Sequence, residues 1–169
     1  LMGSWARRCV EETGLKFNNL KSFLGGYEYI LRAMPTLGIS SGSSPIAFYT
    51  DMNINDNNAL DILEKLGSCL RIEEDKFDAF TSIFGAGPAF ISHLSNTLAK
   101  IAKEHGFQEP EPWIREILDG TSHIHKSDEK NSFENIVDMV ASKGGVTEAA
   151  LNKINEKGIE DIWNQAIND

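Results

Sequence analysis

The run Asp138–Glu148 contains residue types suited to binding a small anion, because Gly144 and Gly145 stand directly before a hydroxyl, Thr147, at a predicted helix start. Glycine lets the backbone approach a ligand closely, Thr147 can cap the helix, and the unpaired amides of its first turn point outward. A carboxylate or phosphate would suit such a loop. The same residues also suit a plain helix–helix turn, and both interpretations stay open at this point.

Composition restricts the classes of partner. The chain has 169 residues, 41% of them hydrophobic, so it can bury a core as one domain or two small ones. Sixteen basic and twenty-five acidic residues give a net charge of −9, which argues against nucleic acid and anionic membranes as partners. No apolar run approaches the roughly 20 residues of a spanning helix, and the first residues lack a signal-peptide core. We therefore expect a cytoplasmic protein.

Metal binding is not indicated by the cysteines or histidines. Cys9 and Cys69 stand apart from any metal-ligand spacing and are interpreted as reduced thiols. His123 and His125 have no evident third ligand, and Lys126 follows them directly. The sequence thus predicts no metal site.

The first part of the chain has the pattern of an α/β segment. Residues 1–12 are assigned to no element. The predicted elements are a helix over 15–24 ended by Gly25-Gly26, strands over 29–34 and 45–49, a helix capped by Asn55 or Asp56 and closed by Gly67, and a strand over 68–72.

After Glu74 every segment has helical spacing. The predicted helices are one long buried helix, or two in tandem, over 77–105, then 112–125 with Pro112 in the first helical position, 132–140, 147–156 and 159–167. So many apolar faces in fewer than 100 residues suggest packing against another subunit, so we expect a homodimer. Trp113 and Trp163 are expected to anchor the core or this interface.

Three segments together resemble pyrroline-5-carboxylate reductase. Arg32–Pro35 is similar to its Arg-x-Met-Pro-Asn segment, Gly85–Phe90 to its Ser-Gly-Ser-Gly-Pro-Ala-Tyr helix start, and Asp138–Thr147 to its Asp-x-Val-x-Ser-Pro-Gly-Gly-Thr-Thr loop, with Gly158 also in place. The resemblance covers about residues 13–167. A fragment of another β-hydroxyacid-type dehydrogenase would share the fold but would not explain all three segments.

The resemblance implies a mixed α/β fold in two parts. Residues 1–73 would be the C-terminal remnant of a Rossmann-type NAD(P)-binding domain, a truncated Rossmann-like α/β segment. Residues 74–169 would be an all-α helical domain for dimerisation, which also carries the substrate loop. The oligomer would be a homodimer or a higher assembly.

The resemblance also implies an activity, the reduction of 1-pyrroline-5-carboxylate, a small-molecule substrate, to L-proline by hydride transfer from NADPH or NADH. Because an iminium carbon is already electrophilic, the protein mainly positions the ring and the nicotinamide. Ser142 and the amides around Gly144 and Gly145 would bind the substrate carboxylate, and the Thr147 hydroxyl would contact the ring nitrogen. Met34 and Pro35 would lie near the nicotinamide.

The chain departs from the family pattern in its cofactor residues, since it has no Gly-x-Gly-x-x-Gly and no acidic ribose partner after it. We therefore expect it to bind neither cofactor and to be inactive alone. A separate nucleotide-binding polypeptide could complete a split reductase, residues 1–12 could cover the open sheet edge, or the chain could be a non-catalytic dimerisation module.

The chain also departs from the family pattern within the resembling motifs. Thr36 replaces asparagine, and Phe84 and Ala86 replace two serines. Lys143 replaces proline, which either adds charge for a carboxylate or relaxes the loop.

Overall fold

The computed structural model describes residues 15–25, 29–51, 58–127 and 132–168. The expected helix cap at Asn55 or Asp56 and the thiol of Cys9 lie outside these residues. The described residues form two compact units, one up to Ile91 and the other from Ser92 onward. Each unit is described by itself below.

A three-stranded mixed sheet is the centre of the first unit. Its strands are β1 (Arg32–Pro35), β2 (Ser44–Tyr49) and β3 (Gly67–Arg71), in the order β1-β2-β3. β1 runs antiparallel to β2, and β2 runs parallel to β3. Ile46, Ala47 and Phe48 of the central strand are all buried, as expected for a strand covered on both faces.

Short helices surround this sheet. They are α1 (Phe17–Phe23), α2 (Asn58–Glu64) and α3 (Phe77–Phe80), together with 3₁₀ turns at Leu37–Ser41 and Glu74–Lys76 and a π-helical turn at Thr81–Gly85. Ala47, Phe77 and Phe80 form the core between β2 and α3. The Arg32 guanidinium lies 4.0 Å above the Phe77 ring and donates to the Glu74 carboxylate at 3.0 Å, which fixes β1 against the start of α3.

Two predicted boundaries in this unit were wrong for identifiable reasons. Gly67 does not close α2, which ends at Glu64, but begins β3 opposite Ser44. A Cβ on Gly67 would lie 2.0 Å from the Ser44 carbonyl oxygen, so glycine permits the close approach of β3 to β2. The first strand begins at Arg32 rather than at residue 29. The Ile30 carbonyl instead accepts a hydrogen bond from the Thr50 hydroxyl at 2.7 Å.

The second unit is helical in all of its described regular structure. Its helices are α4 (Gly87–Glu104), which begins in the first unit, α5 (Glu111–Ser127), α6 (Phe133–Val140), α7 (Val146–Glu156) and α8 (Ile159–Asn168). Ser132 caps α6, since its hydroxyl accepts from the Asn135 amide at 3.1 Å. Pro112 is the second residue of α5, not the first as predicted. Lys103 bonds to Glu111 and lowers the pKa of that carboxyl.

The helix predicted to be buried over 77–105 is instead largely exposed in the single chain. Within α4 only Ala99 is buried, whereas Leu94 is 58% exposed and Leu98 and Ile101 are also open. Trp113 is 70% exposed, so it is not a core residue of one chain. The periodicity identified an apolar face correctly, but no part of the described chain covers it. Among the described helices, none is both long and apolar enough to cross a membrane.

Candidate functional site

The glycine-rich loop joins α6 to α7 and is closed by backbone hydrogen bonds. The Ala141 amide donates to Val137 O at 2.8 Å, and the Ser142 amide donates to Val140 O at 3.1 Å. The Gly145 amide donates to Ser142 O at 2.9 Å and completes the turn. The loop backbone is therefore folded on itself before α7 begins.

The two glycines of this loop are required for different reasons. Gly144 has φ +74°, a left-handed backbone conformation that residues other than glycine rarely adopt. Space is open where a Cβ would stand, so the conformation alone favours glycine here. Gly145 has φ −84°, which any residue accepts, but its Cβ would lie 2.8 Å from Ser142 Oγ and 2.9 Å from Ser142 O. The close approach at Gly145 is thus to the loop itself, whereas the sequence had suggested an approach to a ligand.

Thr147 does not cap α7, contrary to the sequence-based prediction. The helix begins at Val146 with Gly145 as its N-cap, and no side chain makes a hydrogen bond from the N-cap position. The reason is that Gly145 already supplies the extended backbone of a cap, which leaves Thr147 inside the first turn. Glu148 contributes instead: its carboxylate accepts from the Gly144 amide at 2.7 Å, reaching back from the third helical position.

Other donors at this helix start lack an acceptor. The amides of Val146 and Thr147 belong to the first helical turn and have no intrahelical partner. Within the described ranges, neither these amides nor the hydroxyls of Ser142 and Thr147 form a hydrogen bond. The amides of Gly144 and Gly145, expected to donate to a carboxylate, are engaged inside the chain. The open donors therefore include the Ser142 and Thr147 hydroxyls and the amides of Val146 and Thr147.

Lys143 is exposed in the same loop. In the part of the chain that the structure describes, it forms no ion pair. Its ammonium is therefore available to an anion that approaches the start of α7.

The two residues expected near a cofactor, Met34 and Pro35, lie at the end of β1 in the first unit. Met34 packs against the core, with its sulfur 3.1 Å from Thr81 Oγ1, and a Cβ on Gly85 would lie 3.6 Å from its methyl group. Pro35 is exposed. The fold therefore brings the Arg32–Pro35 and Gly85–Phe90 motifs together, while the Ser142–Thr147 loop belongs to the other unit.

The π-helical turn at Thr81–Gly85 was not predicted from the sequence. The Ala86 amide donates to Thr81 O at 2.9 Å, five residues back instead of four. Such wide turns occur often at functional sites. The only signal in the sequence was the pair Gly85 and Gly87, which interrupts the helical spacing.

Comparison with known proteins shows the family. A family model described as pyrroline-5-carboxylate reductase dimerisation matches residues 74–169, more than half of the chain. The chain belongs to this reductase family. Pyrroline-5-carboxylate reductases of Aquifex aeolicus and Staphylococcus haemolyticus are 32% and 30% identical to it, and each match covers 92% of this chain. The chain spans 60% and 59% of the length of these relatives.

Solved reductase structures share the fold. The Coxiella burnetii reductase superimposes with a TM-score of 0.83 at 22% identity, covering 92% of this chain and 59% of that one. The Streptococcus pyogenes reductase gives 0.74 at 27% identity, with 92% and 61% covered. These matches confirm the predicted fold class, a short Rossmann-like α/β segment followed by helices. The Plasmodium falciparum reductase, solved with NADP bound, has a TM-score of 0.77 at 21% identity, covering 92% of this chain and 64% of that one.

Two substitutions relative to the reductase family pattern have structural roles here. Thr36 is buried, and both its amide and its hydroxyl contact the Ser44 hydroxyl, at 2.8 and 3.1 Å. It therefore ties the ends of β1 and β2 together. Phe84 is 47% exposed, and its ring packs against that of Phe80 with the centroids 5.0 Å apart. An apolar ring thus stands at a position where the resemblance implies a serine.

His123 and His125 of this reductase homologue have separate partners. His123 Nδ1 lies 3.0 Å from Asp119 O, whereas the His125 ring packs 4.6 Å from the Phe133 ring. Among the described residues, no group of three or more His, Cys, Asp or Glu side chains is placed to hold a metal ion. Cys69 is a free, half-buried thiol whose pKa is raised by burial and, secondarily, by Glu64.

Proposed function

We propose that this chain supplies the substrate loop and the dimerisation helices of a pyrroline-5-carboxylate reductase. The reaction would be the reduction of 1-pyrroline-5-carboxylate to L-proline. The observation that carries the proposal is the set of open donors on Ser142, Val146 and Thr147 at the start of α7. Family membership supports it, because residues 74–169 match the reductase dimerisation family.

In the proposed site, this loop binds and orients the substrate. The Ser142 hydroxyl and the first-turn amides hold the carboxylate, since a helix N-terminus favours negative charge. The Thr147 hydroxyl contacts the ring nitrogen. Holding both the carboxylate and the ring nitrogen fixes which face of the C=N bond is open, and orientation of this kind is a major part of catalysis.

The fit of a nicotinamide cofactor to these residues is partial. NADPH or NADH, when bound, supplies the hydride that reduces the C=N bond. Exposed Pro35 beside half-buried Met34 offers an apolar surface suited to a nicotinamide ring. The 169 residues contain no glycine fingerprint for the phosphates. We therefore propose that these residues alone neither bind the cofactor nor catalyse the reduction. A nucleotide-binding segment, on the same or another polypeptide, completes the enzyme.

The exposed apolar helix faces support a homodimer. Leu94, Leu98 and Ile101 form an open stripe on α4, and because each is already about half covered, burying the rest would contribute about 1 kcal/mol per residue. Sedimentation at micromolar concentration is expected to show a two-subunit particle. Leu94→Glu should dissociate it, whereas Asn96→Glu, also on α4, should leave it intact. A dimer that survives Leu94→Glu would exclude this stripe from the interface.

The substrate loop is tested by calorimetric titration of the purified chain with L-proline and with NADPH. We expect proline binding without NADPH binding. Ser142→Ala and Thr147→Val should each weaken proline binding about fivefold to tenfold, the usual value of one hydrogen bond. Thr121→Val, an exposed threonine on α5, is the matched control. Proline affinity unchanged in both loop variants would refute this site.

A second candidate function is a non-catalytic dimerisation module. It is favoured by the apolar Phe84 and Ala86 at positions where the family pattern has hydroxyls. A dimer that binds neither proline nor NADPH, and that stays inactive with an added nucleotide-binding polypeptide, would support the module over the reductase.

A further inference from the structure

The acidic side chain in the first turn of α7 occupies part of the proposed substrate loop. The Glu148 carboxylate accepts a hydrogen bond from the Gly144 amide at 2.7 Å. Glu148 is half-buried, and it is the acidic residue of the first turn. The Glu148 carboxylate thus engages the Gly144 amide. The substrate carboxylate is proposed to bind near this same amide.

Two carboxylates cannot both use this helix start without cost. The N-terminus of a helix carries about half a unit of positive charge, which one carboxylate already neutralises. A second anion would meet the like charge of Glu148 and would find the Gly144 amide engaged. Binding of a substrate carboxylate therefore requires Glu148 to withdraw or be neutralised, or else proceeds against its charge.

We propose that Glu148 sets the substrate affinity of this loop: its carboxylate holds the Gly144 amide in the free protein and is displaced when a ligand carboxylate binds. This inference rests on the proposed function of the loop. It makes Glu148 an internal competitor of the substrate. The apparent dissociation constant then equals the intrinsic one divided by the fraction of molecules in which the loop is open.

Ordinary helix capping is the competing explanation, and it predicts the opposite result for binding. If Glu148 only stabilises the start of α7, its removal lowers stability and leaves affinity equal or weaker, because the loop loses support. If Glu148 competes with the ligand, its removal lowers stability but tightens binding. Affinity and stability measured together on the same variants therefore separate the two explanations.

The test is calorimetric titration of L-proline into the wild-type chain and three variants. Glu148→Gln keeps an acceptor for the Gly144 amide but removes the charge, and Glu148→Ala removes both. Glu156→Gln removes one charge from the far end of α7 and is the matched control. We expect proline to bind about threefold tighter to Glu148→Gln and about tenfold tighter to Glu148→Ala, with no change in Glu156→Gln.

The outcomes distinguish failure of this inference from failure of the proposed function. Binding to Glu148→Ala but not to the wild-type chain would support both. Proline affinity equal to or weaker than wild type in both Glu148 variants would overturn the competition and leave the loop as a substrate site. Failure of every variant to bind proline would overturn both. A urea titration of Glu148→Ala confirms that the variant is folded under the conditions of the binding experiment.

Discussion

Replacing Gly145 by alanine is a direct test of how tightly the candidate loop is built. The backbone at this position, φ −84° and ψ 171°, suits alanine, so any effect must come from the added methyl group. That methyl would lie 2.8 Å from Ser142 Oγ and 2.9 Å from Ser142 O. The hydroxyl can rotate away, but the carbonyl is held in the turn by its hydrogen bond from the Gly145 amide.

The expected cost combines the steric overlap and the strained hydrogen bond. Overpacking of this size costs about 1–3 kcal/mol, and a lost backbone hydrogen bond about 1 kcal/mol. Partial relaxation of the loop offsets some of this, so we expect the free energy of unfolding to fall by about 2 kcal/mol. This corresponds to an increase of about thirtyfold in the unfolding equilibrium constant. Proline binding should weaken as well, because the Ser142 hydroxyl is displaced.

The assay is urea unfolding followed by tryptophan fluorescence at one fixed protein concentration, because dimerisation makes stability depend on concentration. Gly120→Ala is the control, since Gly120 lies within α5 with open space around its Cβ, and it should gain up to about 1 kcal/mol. The double variant Ser142→Ala/Gly145→Ala should recover little stability, because the carbonyl contact remains. Wild-type stability in Gly145→Ala, or full recovery in the double variant, would refute the reasoning.

Two further predictions concern the first unit. Gly67→Ala should destabilise the chain by about 3 kcal/mol or more, because its methyl would meet the Ser44 carbonyl oxygen at 2.0 Å between paired strands. Urea unfolding beside Gly120→Ala measures this, and wild-type stability in Gly67→Ala would contradict it. In a Cys9→Ser background, Cys69 should react with iodoacetamide more slowly at pH 8 than a free thiol, since burial raises its pKa above 9.0. Its contribution to stability should be complete at neutral pH and fall as pH rises past the ordinary thiol pKa, because the unfolded thiol then loses its proton first. Reaction as fast as that of the urea-unfolded chain would exclude the raised pKa.

The sequence predicted the order and type of the elements because their signals are local. The helix predicted over 132–140 is observed as α6 (Phe133–Val140), with Ser132 as its N-cap. Gly67 shows where this reasoning fails, since a glycine that ends a helix and a glycine that admits a neighbouring strand look alike in sequence. The exposed α4 stripe shows a second limit. Periodicity indicates that a face is apolar, but it does not say which molecule covers it.

The sequence indicated where the candidate loop lies along the chain but not how it is hydrogen-bonded. Two adjacent glycines and a threonine predicted a loop before a helix, and the structure has a helix that begins there, at Val146. Which residue caps α7 depends on the backbone conformation of Gly145, and this placed Thr147 inside the helix. The engagement of the Gly144 amide by Glu148 depends on side-chain geometry across one helical turn, which residue order alone does not specify.

The position of the unit boundary inside α4 has a consequence for protein engineering. Ile91 and Ser92 are consecutive residues of one helix, so no loop is available there for joining parts of different homologues. Each residue added or removed at this point would turn the rest of α4 by about 100° and shift it by about 1.5 Å along the helix axis. Functional chimaeras should therefore tolerate exchanged side chains at this junction far better than a change of even one residue in its length.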